Sequence, residues 1–446
     1  MTDNELKSLA RQALTTADGY DAQVTVGFSS DALTRFGENV ITQNVASQEL
    51  GMSVLLLKDG KLGKASTGNL SPDGVQRCVT VAKAAHSVAK SDPDLLPFPD
   101  PQTYPKVESY HPATADLSPE ARAEAVRRTV ERFQRDKLQG AGIYSNGGGG
   151  TAIANSRGLW AVDRRTSASF SVSAMSHDSS GWADDNDPDV AKLRIQEVAE
   201  RAARKALDGR NPASIEPGAY TVVFEPAAVA DFLLFLAWDA FNGLSFVEGR
   251  SCLAGKVGQK VMGENITLTD DPYHPLTAGM PFDYQGLPRQ RVALVESGVF
   301  KSTVHDRNTA RRAGVACTGH ALPQPDANGP LPLNMVLSPG DSSLDEMIAS
   351  TGRGLLVTRL HYTNILDPMK MLLTGMTRDG FFLIEKGKVT RGLKNMRFTD
   401  SALDVLNNVE ALSRELYKTA TFWGGGGTIC PAMKVRDFHF TSKTEN

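Results

Sequence analysis

The sequence predicts an α+β fold with two domains, residues 1–215 and 216–446. The chain has 446 residues, which is more than one hydrophobic core usually supports. Helical and strand-like segments alternate through the first half, whereas the second half is mostly strand-like. A segment rich in turn-forming residues, 211–218, is the predicted interdomain linker. We therefore expect an N-terminal α/β-type sandwich of mixed sheet and helices, and a C-terminal, mostly antiparallel β domain with a buried helix.

The N-terminal domain is predicted to begin with a helix and continue with strands. Apolar residues recur at helical spacing over residues 6–14, and Asp18-Gly19 ends this helix. The Asp59-Gly60 pair predicts a tight hairpin because it supplies the positive φ angles of such a turn. The predicted strands around it cover residues 22–28, 33–43, 52–57 and 61–66.

Two helices and a proline-rich connection are predicted next. Residues 75–88 are rich in alanine and valine and predict a helix. Residues 93–112 contain many prolines, so we expect an extended connection across the surface. Ser118-Pro119 predicts the start of a charged helix to about Lys137, with serine as the cap and proline at the first position.

A run of four glycines follows Asn146. Such a run binds phosphate where the N-terminus of a helix follows it, but here the next residues, TAIANS, favour a strand. The sequence therefore predicts a flexible hairpin between short strands. A longer strand over residues 166–175 and an amphipathic helix over residues 190–207 complete the predicted domain.

The C-terminal domain is predicted around one helix, residues 226–241. Pro226 suits its first turn, and apolar residues, Trp238 among them, occupy nearly all of its faces. Only Asp231 and Asp239 interrupt the apolar surface, so we expect the helix to be packed on several sides. The other predicted elements are hairpins at 296–298 and 385–387, a helix capped by Ser343 and Glu346, a long helix over 400–417, a second glycine run at 424–427 and a final strand over 432–440.

Charge and composition exclude some classes of function. The net charge of −3 argues against a nucleic-acid partner held mainly by electrostatics. The longest apolar run is much shorter than the roughly 20 residues that a membrane helix needs. The N-terminus lacks the apolar core of a signal peptide, and the four cysteines are widely scattered, which is typical of a reducing compartment. We expect a soluble, cytoplasmic protein.

The histidines and cysteines predict no metal site in this chain. The eight histidines lie at least fifteen residues apart, so no pair on one element can preorganise a metal. Cys430 directly precedes Pro431 and the final strand, and a structural role is favoured over a ligand role. His305-Asp306 could be a base and its orienting carboxylate. Adjacent strand residues point to opposite faces, so a solvent-facing pair is favoured.

Several motifs, in register over nearly the whole chain, resemble the TldD/PmbA family, the former modulators of DNA gyrase (peptidase U62). In the first half they are TRFGENVITQN from Thr34, MSVLLLKDGKLGKAST from Met52 and AIANSRGL from Ala152. In the second half they are GRSCLAGKVGQKV, VALVESGVFKS, HDRNTARRAG and TGMTRDGFFLIEKGKV. Each motif alone is weak, but their common order makes the resemblance specific.

The resemblance implies that this chain is of the TldE/PmbA type, which lacks the HExxxH zinc helix of the TldD type. An ungapped register anchored on Gly255 places the two zinc histidines on Leu234 and Asp239 and the glutamate on Phe235. No HExxxH occurs anywhere in the chain. The third ligand of the TldD type is a cysteine in a C-terminal glycine-rich segment, which Cys430 matches poorly.

The resemblance also implies a function. We expect a subunit of a TldD/TldE-type zinc metallopeptidase acting on short or unfolded peptides. A TldD-type partner supplies the zinc in this hypothesis, and this chain completes the substrate cavity. The alternative is a homodimeric peptide-binding or otherwise non-peptidase protein of the same fold.

By the same resemblance, one polar region lies near the catalytic cavity. Its candidates for contact with substrate or partner are His361, Tyr362, Asn364, Arg378 and Asp379. The alternative interpretation is a system of hydrogen-bonded turns in which Asp367 and Asp379 accept hydrogen bonds from the backbone.

Overall fold

The first half of the chain folds into a six-stranded sheet. The structure is a computed structural model that describes residues 1–277, 279–420 and 427–444. The strands are β1 (Asp21–Gly37), β2 (Val40–Lys58), β3 (Lys61–Thr67), β4 (Gln139–Asn155), β5 (Trp160–Met175) and β6 (Ser180–Asp187). Their order is β3-β2-β1-β4-β5-β6, and each neighbouring pair is antiparallel. The sheet is therefore antiparallel and not mixed.

Helices cover one face of this sheet. They are α1 (Asp3–Thr16), α2 (Pro72–Val88), α3 (Pro112–Ala115), α4 (Pro119–Arg135) and α5 (Ile195–Asp208). Thr2, Ser71 and Ser118 each accept a backbone N–H at a helix start, as expected of side chains that cap helices. Apolar side chains of the helices and the sheet form two buried clusters beneath them. The four longer helices confirm the predicted ones, although the last begins at Ile195 after a 3₁₀ turn, Val190–Lys192.

The predicted strand over residues 33–43 is wrong, because the chain reverses inside it. Glu38 and Asn39 have φ angles of 51° and 64° and form a tight turn between β1 and β2. Neither is glycine, so the turn left no strong signal in the sequence.

The first glycine run is not a hairpin. It lies in the middle of β4, paired with β1 on one side and β5 on the other. A Cβ atom at Gly150 would lie 2.3 Å from the carbonyl oxygen of Asp163, and one at Gly149 would lie 2.5 Å from that of Phe28. The glycines therefore allow three strand backbones to approach closely.

The second half contains two sheets around a common core. The seven-stranded sheet consists of β7 (Gly218–Phe224), β12 (Arg353–Asp367), β13 (Leu372–Glu385), β14 (Lys388–Gly392), β15 (Met396–Ser401), β16 (Val409–Leu412) and β19 (Met433–Lys443). The six-stranded sheet consists of β8 (Leu268–Asp270), β9 (Val292–Glu296), β10 (Val299–Phe300), β11 (Met335–Leu337), β17 (Tyr417–Ala420) and β18 (Gly427–Cys430). Most pairs are antiparallel, as predicted; β7 with β12 and β11 with β18 are parallel.

Short helices connect these strands. They are α6 (Pro226–Phe235), α7 (Gly243–Val247), α8 (Arg307–Ala313), α9 (Leu344–Ala349) and α10 (Ala402–Asn407), with a π-helical turn at Leu236–Ala240 and a 3₁₀ turn at Pro368–Lys370. The capping box of Ser343 and Glu346 and the two predicted hairpins are confirmed. Every helix among the described residues is too short or too polar to cross a membrane.

The predicted long helix over residues 400–417 is wrong. Ser401 caps α10, which ends at Asn407, and the next residues form β16. Val409 pairs with Val435, because β19 offers this segment a strand partner. The second glycine run lies mostly outside the described residues.

Candidate functional site

One side of helix α6 is partly exposed to solvent, and we call it the open face; most other side chains of the helix are buried. Pro226 occupies its first turn, as predicted, and its buried side chains join the core shared by the two C-terminal sheets. The other side, which continues into the π turn after α6, carries Ala227, Asp231, Leu234 and Trp238 at steps of three and four residues. The first three are half-buried, but Trp238 is 43% exposed and not packed inside as predicted. The open face therefore combines one carboxyl group with apolar side chains.

The end of this helix widens into the π-helical turn. The N–H of Phe241 donates to the carbonyl oxygen of Leu236 at 2.9 Å, a bond between residues five apart. In a regular α-helix, residues five apart differ by about 140° around the axis. A π turn brings such residues closer to one face. Leu234, near the end of α6, and Asp239, within the turn, have this separation.

Arg359 is the centre of a polar cluster at the contact between the two halves. It lies on β12 and contacts the carboxylate of Asp379 on β13. Ser180 of β6 donates its hydroxyl to the same carboxylate at 2.6 Å. The guanidinium of Arg359 also lies 4.8 Å from the ring centre of Trp182, a cation–π contact. Residues from both halves therefore hold this arginine in place.

Two carboxyl groups beside Arg359 have raised pKa values. Burial raises the pKa of Asp231 to about 7, while a hydrogen bond from the Thr363 hydroxyl at 2.9 Å and the charge of Arg359 oppose the shift. Burial also raises the pKa of Asp184 to about 6, although the cations around it, Arg201 first, favour the charged form. Burial thus raises the pKa of both carboxyl groups towards neutrality, and the charge of Arg359 opposes the shift in each.

A second ion pair joins the halves next to this cluster. Lys205 of α5 donates to the carboxylate of Glu225 at 2.6 Å, just before α6 begins. Thr358 donates to the other oxygen of Glu225 at 3.3 Å. Burial lowers the pKa of Lys205, although Glu225 opposes that shift. The pair fixes the N-terminal end of α6 to the N-terminal half.

Four of the five residues predicted to contact substrate or partner lie in this region. Arg378 lies 3.8 Å from Asp379, and the rings of His361 and Tyr362 are 4.3 Å apart. Burial lowers the pKa of His361, and the charges of Arg378 and Arg359 lower it further. Asn364 is exposed, and its side chain accepts the N–H of Ile365, so no contact of Asn364 with the cluster is established.

The region is a bulged strand pair, which differs from the predicted alternative of turns. The pairing of β12 with β13 shifts between His361 and Asn364. Tyr362 in this bulge has a φ of 50° and is 76% exposed. Asp367 accepts the N–H of Met369 at 3.0 Å, as the alternative required, whereas Asp379 binds side chains. The bulge therefore directs a tyrosine into solvent beside the arginine cluster.

The remaining candidates from the sequence are buried. Cys430 is fully buried, its thiol donates to the carbonyl oxygen of Pro226 at 3.2 Å, and burial raises its pKa. His305 and Asp306 are also buried and not solvent-facing. They lie before α8, where the Asp306 carboxylate accepts the N–H of Thr309 as a cap. The strand assumed for this pair does not exist, which explains the error.

The face of the N-terminal sheet that points away from its helices is polar beside the Arg359 cluster, and we call it the polar wall. Along β5, serines alternate with buried apolar residues that face the helices. The serines are exposed or half-buried: Ser167, Ser169, Ser171 and Ser173. The indole N–H of Trp182 donates to Ser171 at 3.0 Å, next to the Arg359 cluster. Asn186 donates to the carbonyl oxygen of Lys418 at 2.9 Å, which ties this wall to β17.

A cavity of about 560 Å³ reaches Asp379 from another direction. Its lining includes Ser180, Asn211, Phe381 and Lys394, from both halves and the segment between them. This volume is within the usual range for small-molecule pockets. Across residues 1–277, 279–420 and 427–444, no group of three or more His, Cys, Asp and Glu residues is arranged to hold a metal ion.

Comparison with known families identifies the architecture. The family model for the PmbA/TldA metallopeptidase C-terminal domain matches residues 217–442, and the model for the central domain matches residues 112–210. The chain belongs to the PmbA/TldD family.

The relatives that align with most of this chain have low sequence identity to it. Metalloprotease PmbA of Escherichia coli O157:H7 is 23% identical over 440 residues, which cover 94% of this chain and 92% of that protein. The PmbA homologue of Haemophilus influenzae is 24% identical, covering 95% and 93%. A metalloprotease of Methanothermobacter thermautotrophicus is 27% identical over 241 residues, and the chain spans about half of its length, 52%.

Two solved structures have the same fold as this chain. TldE from Thermococcus kodakarensis superimposes with a TM-score of 0.88 at 22% identity, covering 98% of this chain and 99% of that one. A Thermotoga maritima protein described as a modulator of a DNA gyrase gives 0.87 at 22% identity, covering 99% and 100%. At this level of identity, the agreement concerns the fold alone.

The sequence prediction missed Arg359, Asp184 and Ser180. Arg359 had a weak signal, since it is a lone charge in the apolar strand GLLVTRL. Asp231 had a stronger one as an interruption of an apolar helix, but its partners Thr363 and Arg359 lie far away in the sequence.

Proposed function

We propose that this chain is the TldE-type subunit of a TldD/TldE-type zinc metallopeptidase. The observation that carries the proposal is the chemistry of α6 and its π turn. In the family register, the positions of the zinc motif hold Leu234, Phe235 and Asp239. Leucine and phenylalanine have no donor atoms, and zinc sites need three or four. The buried thiol of Cys430 donates a hydrogen bond to the carbonyl oxygen of Pro226, and burial raises its pKa, which disfavours the thiolate that zinc binds. These residues do not fit a zinc ion.

In the proposed assembly, a TldD-type partner supplies the zinc, and this chain shapes and closes the peptide cavity. The Arg359 cluster supports this role, because Thr363, the neighbour of the exposed Tyr362, donates its hydroxyl to Asp231 on the open face of α6. His361 and Arg378 are the residues proposed to contact peptide or partner. Extended peptides commonly bind by adding to a sheet, and substrates that are short or unfolded can adopt this form.

Metal content and cleavage, measured together, test the proposal. The chain is purified alone, the TldD-type chain alone, and both after co-expression; zinc is quantified by mass spectrometry and cleavage with an unfolded peptide mixture. We expect zinc in the partner and in the complex, and cleavage only in the complex. Stoichiometric zinc in this chain alone, or equal cleavage by the partner alone, would contradict the proposed role.

Variants of this chain separate a direct role in the cavity from simple assembly. In the complex, His361→Ala and Arg378→Ala are expected to lower cleavage about tenfold, the typical effect of losing one substrate contact. The zinc content of the complex should not change. Arg11→Ala, on the exposed side of α1, is the matched control and should cleave normally. Full cleavage by both cavity variants would remove these residues from the proposed site.

A further inference from the structure

The cavity that reaches Asp379 lies where the two halves of the chain meet, and we call it the linker cavity. Its volume is about 560 Å³, and it is lined by residues before and at the start of β6, by the segment 209–212 and by β13. Backbone hydrogen bonds hold this segment in place. The N–H of Ala213 donates to the carbonyl oxygen of Gly392 at 2.9 Å, and the N–H of Lys394 donates to that of Ala213 at 3.0 Å. The linker cavity is therefore a built feature of the contact between the halves.

The two carboxylates in the lining already have hydrogen-bond donors. The Asp379 carboxylate accepts the Ser180 hydroxyl at 2.6 Å and pairs with Arg359. The Asp178 carboxylate accepts the backbone N–H of Asn211 at 2.8 Å. A cationic ligand would have to compete with these donors for the same oxygens. The acidic residues of the lining therefore do not favour a cation.

Three side chains in the lining offer donors that have no acceptor among the described residues. They are the ammonium group of Lys394 and the amide groups of Asn211 and Asn395. The Asn395 side chain accepts the Thr377 hydroxyl at 3.2 Å with its oxygen, which leaves its nitrogen free to donate. Carboxylate and phosphate oxygens accept such hydrogen bonds and carry the charge opposite to that of Lys394. The polar part of the lining thus favours an anionic group.

The rest of the lining includes apolar residues. Phe381, Phe382 and Leu393 contribute to it, and all three are buried. Pockets for small molecules usually combine such apolar residues with a few polar groups that orient the ligand, in volumes of roughly 300–1,000 Å³. A ligand with one anionic group and a small apolar body matches both parts of the lining.

The chain beside the linker cavity is strongly basic, although the whole protein has a net charge of −3. Residues 386–399, which we call the basic segment, contain no acidic residue and five exposed cations: Lys386, Lys388, Arg391, Lys394 and Arg397. No carboxylate of the described residues forms an ion pair with any of them, not even Glu385, which faces Lys388 in the pairing of β13 with β14. Clustered charge of one sign at a cleft attracts ligands of the opposite sign. The basic segment therefore also favours an anion.

We propose that the linker cavity binds a small organic anion, with its carboxylate or phosphate group at Lys394 and its apolar body against Phe381 and Leu393. Asp379 belongs to the same lining and pairs with Arg359, so a bound ligand contacts a residue of the Arg359 cluster. Binding needs only this chain and does not depend on the proposed peptidase role.

Isothermal titration calorimetry of the full chain with three related probes tests this site. Phenylacetate and phenyl phosphate carry the two anionic groups, and phenylacetamide has the same ring without a charge. We expect at least one anion to bind at least about tenfold more tightly than the amide, because hydrogen bonds to charged groups are the stronger ones. The tighter anion distinguishes a carboxylate ligand from a phosphate ligand. No binding of either anion in the millimolar range, or equal binding of the amide, would overturn the proposal.

Variants locate the anion within the cavity. Lys394→Met should weaken anion binding at least about tenfold and leave the amide unaffected, since it removes the charge in the lining. Asn211→Gly removes an amide but tolerates the φ of 53°, and should weaken binding about threefold. Lys388→Met, the matched control, removes an exposed cation of the basic segment outside the lining and should change binding less than about twofold. Unchanged binding in Lys394→Met, or equal losses in Lys394→Met and Lys388→Met, would contradict a site in the linker cavity.

Discussion

Asp231 is an acid on an apolar helix, and its ionisation should oppose folding. Its pKa of about 7 in the folded chain exceeds the value of about 3.9 in an unfolded one. The folded state therefore holds a proton that the unfolded state releases, so this contribution to stability is complete below about pH 4 and is lost as the pH rises to about 7.

Replacing Asp231 should therefore stabilise the chain in a pH-dependent way. Asp231→Asn retains an oxygen for the Thr363 hydroxyl but carries no charge. We expect the free energy of unfolding to exceed that of the wild type by about 2 kcal/mol at about pH 8, with the difference vanishing near pH 4. Urea unfolding at several pH values measures it. Asp59→Asn, in an exposed turn, is the control, and an equal gain at all pH values would refute the argument.

Arg359 and Arg378 differ in what their charges contribute. Arg359 contacts the buried Asp379 directly, whereas Arg378 is half-exposed and 3.8 Å away. Arg359→Met should cost about 3 kcal/mol of unfolding free energy, because it leaves a buried carboxylate without its main partner. Arg378→Met should cost less than about 1 kcal/mol. Chemical denaturation compares the two, and equal losses would mean that Arg359 does not stabilise the contact between the halves.

At the scale of elements, the glycines of the N-terminal sheet should differ in their tolerance of a side chain. Gly150→Ala would place Cβ 2.3 Å from the carbonyl oxygen of Asp163, so strands β4 and β5 must separate. We expect a loss of about 2–4 kcal/mol, as for other overpacked sites. Gly27→Ala, on β1, has no atom within 4 Å of its Cβ and should change stability by less than about 0.5 kcal/mol. Similar urea midpoints for the two variants would contradict the close approach.

Elements with local signals were predictable from the sequence, and elements defined by distant partners were not. The cap at Ser118 and the turn at Asp59-Gly60 depend on neighbouring residues, and both were predicted correctly. The glycine run of β4 is a strand because β1 and β5 lie beside it. Residues 409–412 have helical spacing, but β19 pairs with them. Tertiary contact overrides local propensity in both cases.

The candidate site was predictable to the same extent. The polar region around His361 and Arg378 was visible as a cluster within β12 and β13. Its organising residue, Arg359, had only the weak signal of a lone charge in an apolar strand, because its partners Trp182 and Asp379 meet it only in the folded chain. The π turn after α6 likewise leaves no pattern in the sequence.

At the scale of the whole molecule, an apolar cluster joins the two halves at a second place. It consists of Ile153, Leu159, Ala161, Met280 and Phe282, with Tyr104 and Tyr284 packed against it. Gln23 also donates to the carbonyl oxygen of Tyr284 at 3.0 Å. Because apolar and charged contacts both connect the halves, we expect the wild-type chain to unfold in one cooperative transition.

Phe282→Ala should weaken that coupling more than it weakens either half. Phe282 is fully buried between the halves, and truncating such a residue costs about 3–5 kcal/mol. We expect circular dichroism and tryptophan fluorescence to report separate urea transitions in this variant. Phe398→Ala is the matched control, because Phe398 is equally buried but packs within the C-terminal core. It should lower the midpoint while the two signals stay coincident, since it damages one half without releasing it from the other. Coincident transitions in Phe282→Ala would mean that the polar contacts around Arg359 suffice to couple the halves.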